Sequence, residues 1–186
     1  MKFIKFLLFL LLIFAQCKKE NTLNLENSEV QKVPENKDNS ADDNFIVSAD
    51  SVAGAWFSSV VPEGFKAKSS FPSSTSVGEY DSYFYISPDE KVQFYVFSPQ
   101  WTGSPNDIIF PNEKIKVNEI QNPDGSITRE WTLEANRQTP YIRSFTETKS
   151  ENTILITGFY YKDQAAYEAY KSDYEHFINS IQQYSD

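Results

Sequence analysis

The chain has 186 residues, with 17 basic and 26 acidic side chains for a formal net charge of −9, one cysteine and one histidine. So acidic a surface is repelled by phosphate backbones, which argues against nucleic acid as a partner, and a lone cysteine excludes an internal disulfide. One histidine and one cysteine cannot supply a zinc ligand set, and six scattered glycines form no phosphate-cradling loop, so the composition points to no metal and no cofactor.

The chain opens with Lys2 and Lys5 ahead of an unbroken apolar stretch from Phe6 to Ala15. A bilayer-spanning helix needs about 20 apolar residues, so this shorter run has the form of an export signal's hydrophobic region. It ends in IFAQC, with the small Ala15 two positions before Cys17, and the polar Lys18, Lys19 and Glu20 follow at once. This arrangement resembles the lipobox of bacterial lipoproteins. The resemblance implies a signal peptide over 1–16, a diacylglyceryl group on the Cys17 thiol, and a chain anchored to a membrane of the bacterial cell envelope with its bulk outside the cytoplasm. Gln16 departs from the small residue usual before the cysteine, and an ordinary secretory signal with a free Cys17, or an uncleaved anchor, is the alternative. Acylation gives the solitary cysteine a reason: a buried methylene contributes about 0.8 kcal/mol, and two or more chains anchor stably. Loss of Lys2 and Lys5 with the leader would make the remainder still more acidic.

Residues 17–44 hold the acylated Cys17 and a run rich in Asn, Glu, Asp, Lys and Ser without one aromatic. Such a segment buries too little apolar surface to offset its ordering entropy and is expected to be a disordered polar tether. A flexible coil of that length has an end-to-end distance on the order of 30 Å. It would serve as a spacer above the membrane or be merely tolerated slack.

The remainder, 45–186, has the size of a single domain and carries most of the aromatic residues in short runs with β-branched neighbours, which favours strands. Trp56–Val61 is expected to be a strand ending at the Pro62-Glu63-Gly64 turn. YDSYFYI (80–86) and KVQFYVF (91–97) flank Ser87-Pro88-Asp89-Glu90 as a hairpin. KIKVNEI (114–120) and SITREWTLEA (126–135) flank Asn122-Pro123-Asp124-Gly125 as a second, and YIRSFTET (141–148) and TILITGFYY (153–161) make a further pair. From Asp163 the period changes: Tyr167, Tyr170, Tyr174, Phe177, Ile178 and Ile181 recur every three or four residues along one face of a helix. The expected fold class is α+β, an antiparallel sheet of about six strands packed against a long C-terminal helix.

Three stretches carry a second resemblance. VPEGFKAKSSFPSS (61–74), VQFYVFSPQW (92–101, with Phe97, Ser98 and Pro99) and YEAYKSDYEHFINSIQQ (167–183) resemble the opening, a central strand and the final helix of PsbP-like domains. The resemblance implies a PsbP-like α/β sandwich and a non-enzymatic role. That family includes an extrinsic subunit of photosystem II and a Ran-binding import factor, but neither those partners nor any photosynthetic metal-binding residue carries over to this sequence.

No catalytic set is visible. His176 lies beside Phe177 but off the helix's apolar stripe, as an exposed helix histidine, and Cys17 would be at the membrane, so nucleophilic triads are disfavoured. The carboxylate pairs Asp42–Asp43, Asp89–Glu90 and Glu147–Glu151 fall in expected linkers or turns and are best taken as solvated surface. The hairpin strands, however, are apolar on both faces, with Tyr83 and Tyr85 opposing Phe84 and Ile86, and Tyr95 and Phe97 opposing Phe94 and Val96. With only one helix to cover them, either short segments such as 49–54 and 107–110 shield the second face, or an aromatic surface stays open. The candidate binding surface is Tyr83, Tyr85, Tyr95 and Trp101. Two function classes follow: a non-catalytic envelope lipoprotein that binds a protein partner or aids assembly of a complex, and a carrier or sensor holding a small apolar molecule between sheet and helix.

Overall fold

A computed structural model describes residues 46–184, apart from 48, 49, 102 and 152. The leader, Cys17, the tether and the Asp42–Asp43 pair lie outside the described residues. In chain order the elements are β1 (Ile46–Val47), β2 (Ser51–Ala53), β3 (Phe57–Val60), β4 (Lys66–Ser69), β5 (Ser82–Ile86), β6 (Val92–Phe97), β7 (Asn118–Gln121), β8 (Ile127–Leu133), β9 (Ile142–Lys149), β10 (Ile154–Tyr161), α1 (Gln164–Ser180) and β11 (Gln182–Gln183).

The large sheet has eight strands in the order β1-β4-β5-β6-β10-β9-β8-β7, and β11-β3-β2 form a separate three-stranded sheet. All pairings are antiparallel, so this is an α+β fold. The six hairpin strands expected from the sequence are β5 to β10. The sheet exceeds the expected six by the short β1 and β4 at one edge, and the expected strand at Trp56–Val61 belongs to the second sheet instead. β4 reads Lys-Ala-Lys-Ser, without the β-branched and aromatic side chains that mark a strand locally, and forms because β5 offers it a ladder.

The turns form where their chemistry demands. In the first hairpin Asp89 Oδ1 accepts from Ser87 Oγ at 2.9 Å and from the Lys91 N–H at 3.1 Å, and Glu90 takes a left-handed φ of 54°. In the second, Gly125 sits at φ 86°, a conformation glycine adopts without steric cost, and the Asn122 N–H donates to the Ser126 carbonyl at 2.8 Å.

Asp163 caps α1, its side chain accepting from the Ala166 N–H at 2.8 Å. The helix lays Tyr167, Tyr170, Tyr174, Phe177 and Ile178 against one face of β5, β6 and β10, as their spacing requires. Phe94 is the hub, its ring 5.0 Å from Phe65, 5.2 Å from both Phe159 and Tyr174, and 5.5 Å from Phe177. Each such buried ring contributes about 1.5–3 kcal/mol relative to exposure. The helix ends at Ser180, whose Oγ donates to the Phe177 carbonyl at 2.7 Å and accepts from the Val60 N–H at 3.1 Å, handing the chain to β11.

The opposite face of the sheet carries a second apolar cluster, built from Tyr95, Phe97, Trp131, Leu133, Phe145, Ile154, Ile156 and Tyr160. Gly158 makes its tight packing possible. A Cβ there would lie 2.8 Å from the Phe145 ring and 3.1 Å from Tyr95 Cβ, so the missing side chain is the space the Phe145 ring occupies.

Candidate binding cleft

The cleft begins with strand alternation. Register places Glu119 of β7, Arg129 of β8, Glu147 of β9 and Ile156 of β10 in one row across the sheet, all on the face away from α1. In that row Arg129 is clamped between two carboxylates, its Nε 2.8 Å from Glu119 and its Nη1 3.1 Å from Glu147. The Glu119 hydrogen bond, followed by the Glu147 charge, raises the Arg129 pKa further. One step along the strands Trp131 stacks on Phe145 at 5.3 Å, and its buried indole N–H has no acceptor among the described residues.

The second wall is the connection between β6 and β7, held down at two points. Asp107 accepts from Ser70 Oγ at 2.5 Å, from Tyr95 Oη at 2.9 Å and from Ser82 Oγ at 3.3 Å. Burial, followed by the Asp107 charge, pushes the Tyr95 hydroxyl far above its ordinary value, so it remains a neutral donor. The other anchor is Arg143, with no exposed surface at all: Nη1 donates to the Ile108 carbonyl at 2.9 Å, Nη2 pairs with Glu113, and the guanidinium lies 4.9 Å from the Phe110 ring centre. Burial alone would raise the Glu113 carboxyl. Hydrogen bonds from Arg143 and the Phe110 N–H, the Arg143 charge and the Asn136 amide outweigh it and hold the group below the usual range.

Between these walls lies a cleft of about 800 Å³. Its floor is Trp131, Ile154 and Ile156, its far wall Ile108, Ile109, Ile115 and Val117, and its rim Glu119, Arg129, Glu147 and Lys149. Its volume falls within the range of about 300–1,000 Å³ typical of ligand sites, and an apolar body with a few polar groups at the mouth suits an amphipathic occupant.

The four aromatic residues expected to form one open surface do not do so. Tyr83 and Tyr85 face α1, at 8% and 0% exposure, whereas Tyr95 is fully buried on the opposite face, and only Trp101 is open to solvent at 55%. The reason is period-2 register: Tyr95 opposes Phe84, not Tyr83 or Tyr85, so the pleat sends it to the other side of the sheet. Ile108 and its neighbours cover that second face, while Val52, from the other segment expected to shield it, packs on the helix side. The space between helix and sheet, where a small ligand was expected, is filled by interlocking rings around Phe94. At its margin a groove of about 440 Å³ remains, lined in part by Ser144, Thr146, Tyr161 and Tyr167.

Asp107, Arg143 and the cleft itself are not singled out by the sequence pattern. The available signal is alternation: in YIRSFTET, Arg143 occupies the same face as the buried Phe145, an inward position no cation takes without a partner. Glu147 proves to be Arg129's partner rather than half of a pair with Glu151, and Asp89 orders its turn. His176 is exposed on α1, and among the described residues no cluster of three His, Cys, Asp or Glu side chains could hold a metal ion.

The three stretches that carry the domain-level resemblance meet in space. Gln183 Nε2 donates to Ser98 Oγ at 2.9 Å and to the Ile154 carbonyl at 3.0 Å, joining the chain's end to the end of β6. No family model and no curated protein matches the chain. Among solved structures it is similar to the Ran-binding protein Mog1p of Saccharomyces cerevisiae, at 11% identity and a TM-score of 0.40 over 73% of this chain and 95% of that one. It is likewise similar to cyanobacterial PsbP (CyanoP) from Synechocystis sp. PCC 6803, at 12% identity and a TM-score of 0.41 over 82% of this chain and all of that one.

Proposed function

We propose that the chain is a lipid-anchored protein of the bacterial envelope, held through acylated Cys17, whose domain is a non-catalytic module that binds a protein partner at the cleft beside β7. The observation that carries this reading is the pairing of an open apolar cleft with a rigidly fixed wall. Asp107 and the Arg143–Glu113 pair pin the connection that forms it, so the cavity is preformed and a partner meets little ordering cost there. The signal-like leader and polar tether support delivery to the cell surface.

The carrier reading, a small apolar molecule, is favoured by one specific feature, the cleft's volume over an apolar floor of Trp131, Ile154 and Ile156. The test is photo-crosslinking in living cells from a benzophenone side chain at Val117, in the otherwise native chain and in Cys17→Ala. A single envelope protein captured in proportion to bait, and weakened without the lipid, supports the module. A small molecule that copurifies with the native chain and is lost from Trp131→Arg, with no crosslinked protein, supports the carrier instead. The absence of both a crosslinked protein at Val117 and a copurifying small molecule refutes the cleft as a binding site.

A further inference from the structure

We infer that the cleft's edge recognises its partner by strand addition, taking an extended acidic segment with alternating apolar side chains alongside residues 114–121; this rests on the cleft being the binding site. β7 ends the eight-stranded sheet and pairs on one side only, with β8. The residues before it, 114–117, make no backbone hydrogen bond among the described residues. The strand edge and this run together form an eight-residue stretch of peptide groups with a side open to a visiting strand, about 26 Å long at 3.3 Å per residue.

The side chains here are unusual for a soluble surface. Seven large apolar side chains are exposed among the described residues, and three of them, Ile115, Val117 and Ile120 at 39%, 47% and 44%, fall within six positions of this edge. Ile115 and Val117 alternate along the chain, and both reach the cleft wall. A strand laid beside them would place every second side chain over the cleft, the source of specificity in strand addition.

Charge decides the partner's character. The chain as a whole carries −9. Along this edge Lys114 and Lys116 make no ion pair among the described residues, Lys149 stands at the cleft rim on β9, and Arg129 is shared by Glu119 and Glu147, which leaves one negative charge in that row. The first half of the stretch, 114–117, is therefore locally basic on an acidic molecule, with carboxylates on β7 and β8 beyond it. Lysines along a free edge discourage basic or neutral strands from pairing and attract acidic ones.

The test uses the full-length chain in detergent and an acetylated eight-residue peptide alternating Glu and Val, its Lys/Val counterpart, and a Glu/Val peptide N-methylated at alternate residues. Fluorescence anisotropy should show saturable binding of the Glu/Val peptide, at least about tenfold stronger than the Lys/Val peptide at low salt and converging with it in high salt. N-methylation removes the peptide donors but keeps the side chains, and should weaken binding by about tenfold or more. Lys114→Glu with Lys116→Glu, both at exposed positions, should invert the preference between peptides while the far-ultraviolet spectrum stays unchanged. Equal binding of the N-methylated peptide, or no binding of the Glu/Val peptide, overturns strand addition. Dimerisation through this edge in sedimentation, or preference for anionic phosphatidylglycerol vesicles over the peptide, overturns it as well. A Val117 crosslink to a cellular protein that persists while the peptides fail leaves the cleft standing and rejects only the edge; loss of both rejects the cleft.

Discussion

The Arg143–Glu113 pair offers the sharpest test of how the cleft wall is held. Arg143 has no exposed surface and the Glu113 side chain is 9% exposed, so removing Glu113 strands a charge where water does not reach it, and removing Arg143 strands one that water reaches only at its edge. Breaking a buried ion pair from one side costs about 3–5 kcal/mol. Arg143→Met should fall in that range. Glu113→Gln keeps the shape and an acceptor, so it should cost less, about 2–3 kcal/mol, the worth of a hydrogen bond to a charge. In the double variant neither charge remains, and the total should fall short of the sum of the singles by about 2 kcal/mol. The assay is equilibrium urea unfolding followed by tryptophan emission, with linear extrapolation to water. Because the pair pins the connection leading to Lys114 and Lys116, trypsin should also cut there faster in both singles. Single costs below about 1 kcal/mol, an additive double variant, or unchanged cleavage would each refute a buried pair that fixes the wall. Acid should act in the same direction: the Glu113 carboxyl is held below its ordinary 4.5, so its stabilisation is complete above that value and fades as pH falls through the lowered folded value.

Gly158→Ala should destabilise by about 1–3 kcal/mol through overpacking, since the new Cβ meets the Phe145 ring, and Phe145→Leu in the same chain should recover part of the loss in thermal melts. Phe94→Ala removes the ring on which helix and sheet converge and should cost about 3–5 kcal/mol by urea unfolding, against less than about 1.5 kcal/mol for Phe94→Met if the site repacks. At alkaline pH the sign reverses: burial raises the Tyr85, Tyr95 and Tyr160 hydroxyls above their ordinary 10.0, so their contribution is complete below about pH 10 and fades as pH rises further. A midpoint of unfolding that does not fall between pH 9 and 11, measured with the phenolate absorbance, would contradict that assignment.

What was legible in the sequence was whatever local periodicity encodes. Alternation and turn chemistry located β5 to β10, because Ser87-Pro88-Asp89-Glu90 and Asn122-Pro123-Asp124-Gly125 dictate reversals whatever surrounds them, and the three-to-four spacing from Tyr167 to Ile178 determined a helix and the face it buries. The α+β class followed from those periods. Long-range pairing decided the rest. Nothing local tells Lys66–Ser69 to pair with β5, or Gln182–Gln183 to join Phe57–Val60 in a second sheet. Nor does period 2 within one strand say which face of the next strand it will share, so Tyr83 and Tyr95 look alike in sequence and end on opposite sides of the sheet. The cleft is the clearest case. It exists because the β6–β7 connection folds back over β8 to β10, and the groups that hold it there, Asp107 against Tyr95 and Arg143 against Glu113, lie 12 and 30 residues apart in the chain. A side chain's partner at that separation is chosen by the packing of the whole sheet, and so is the surface that packing leaves open.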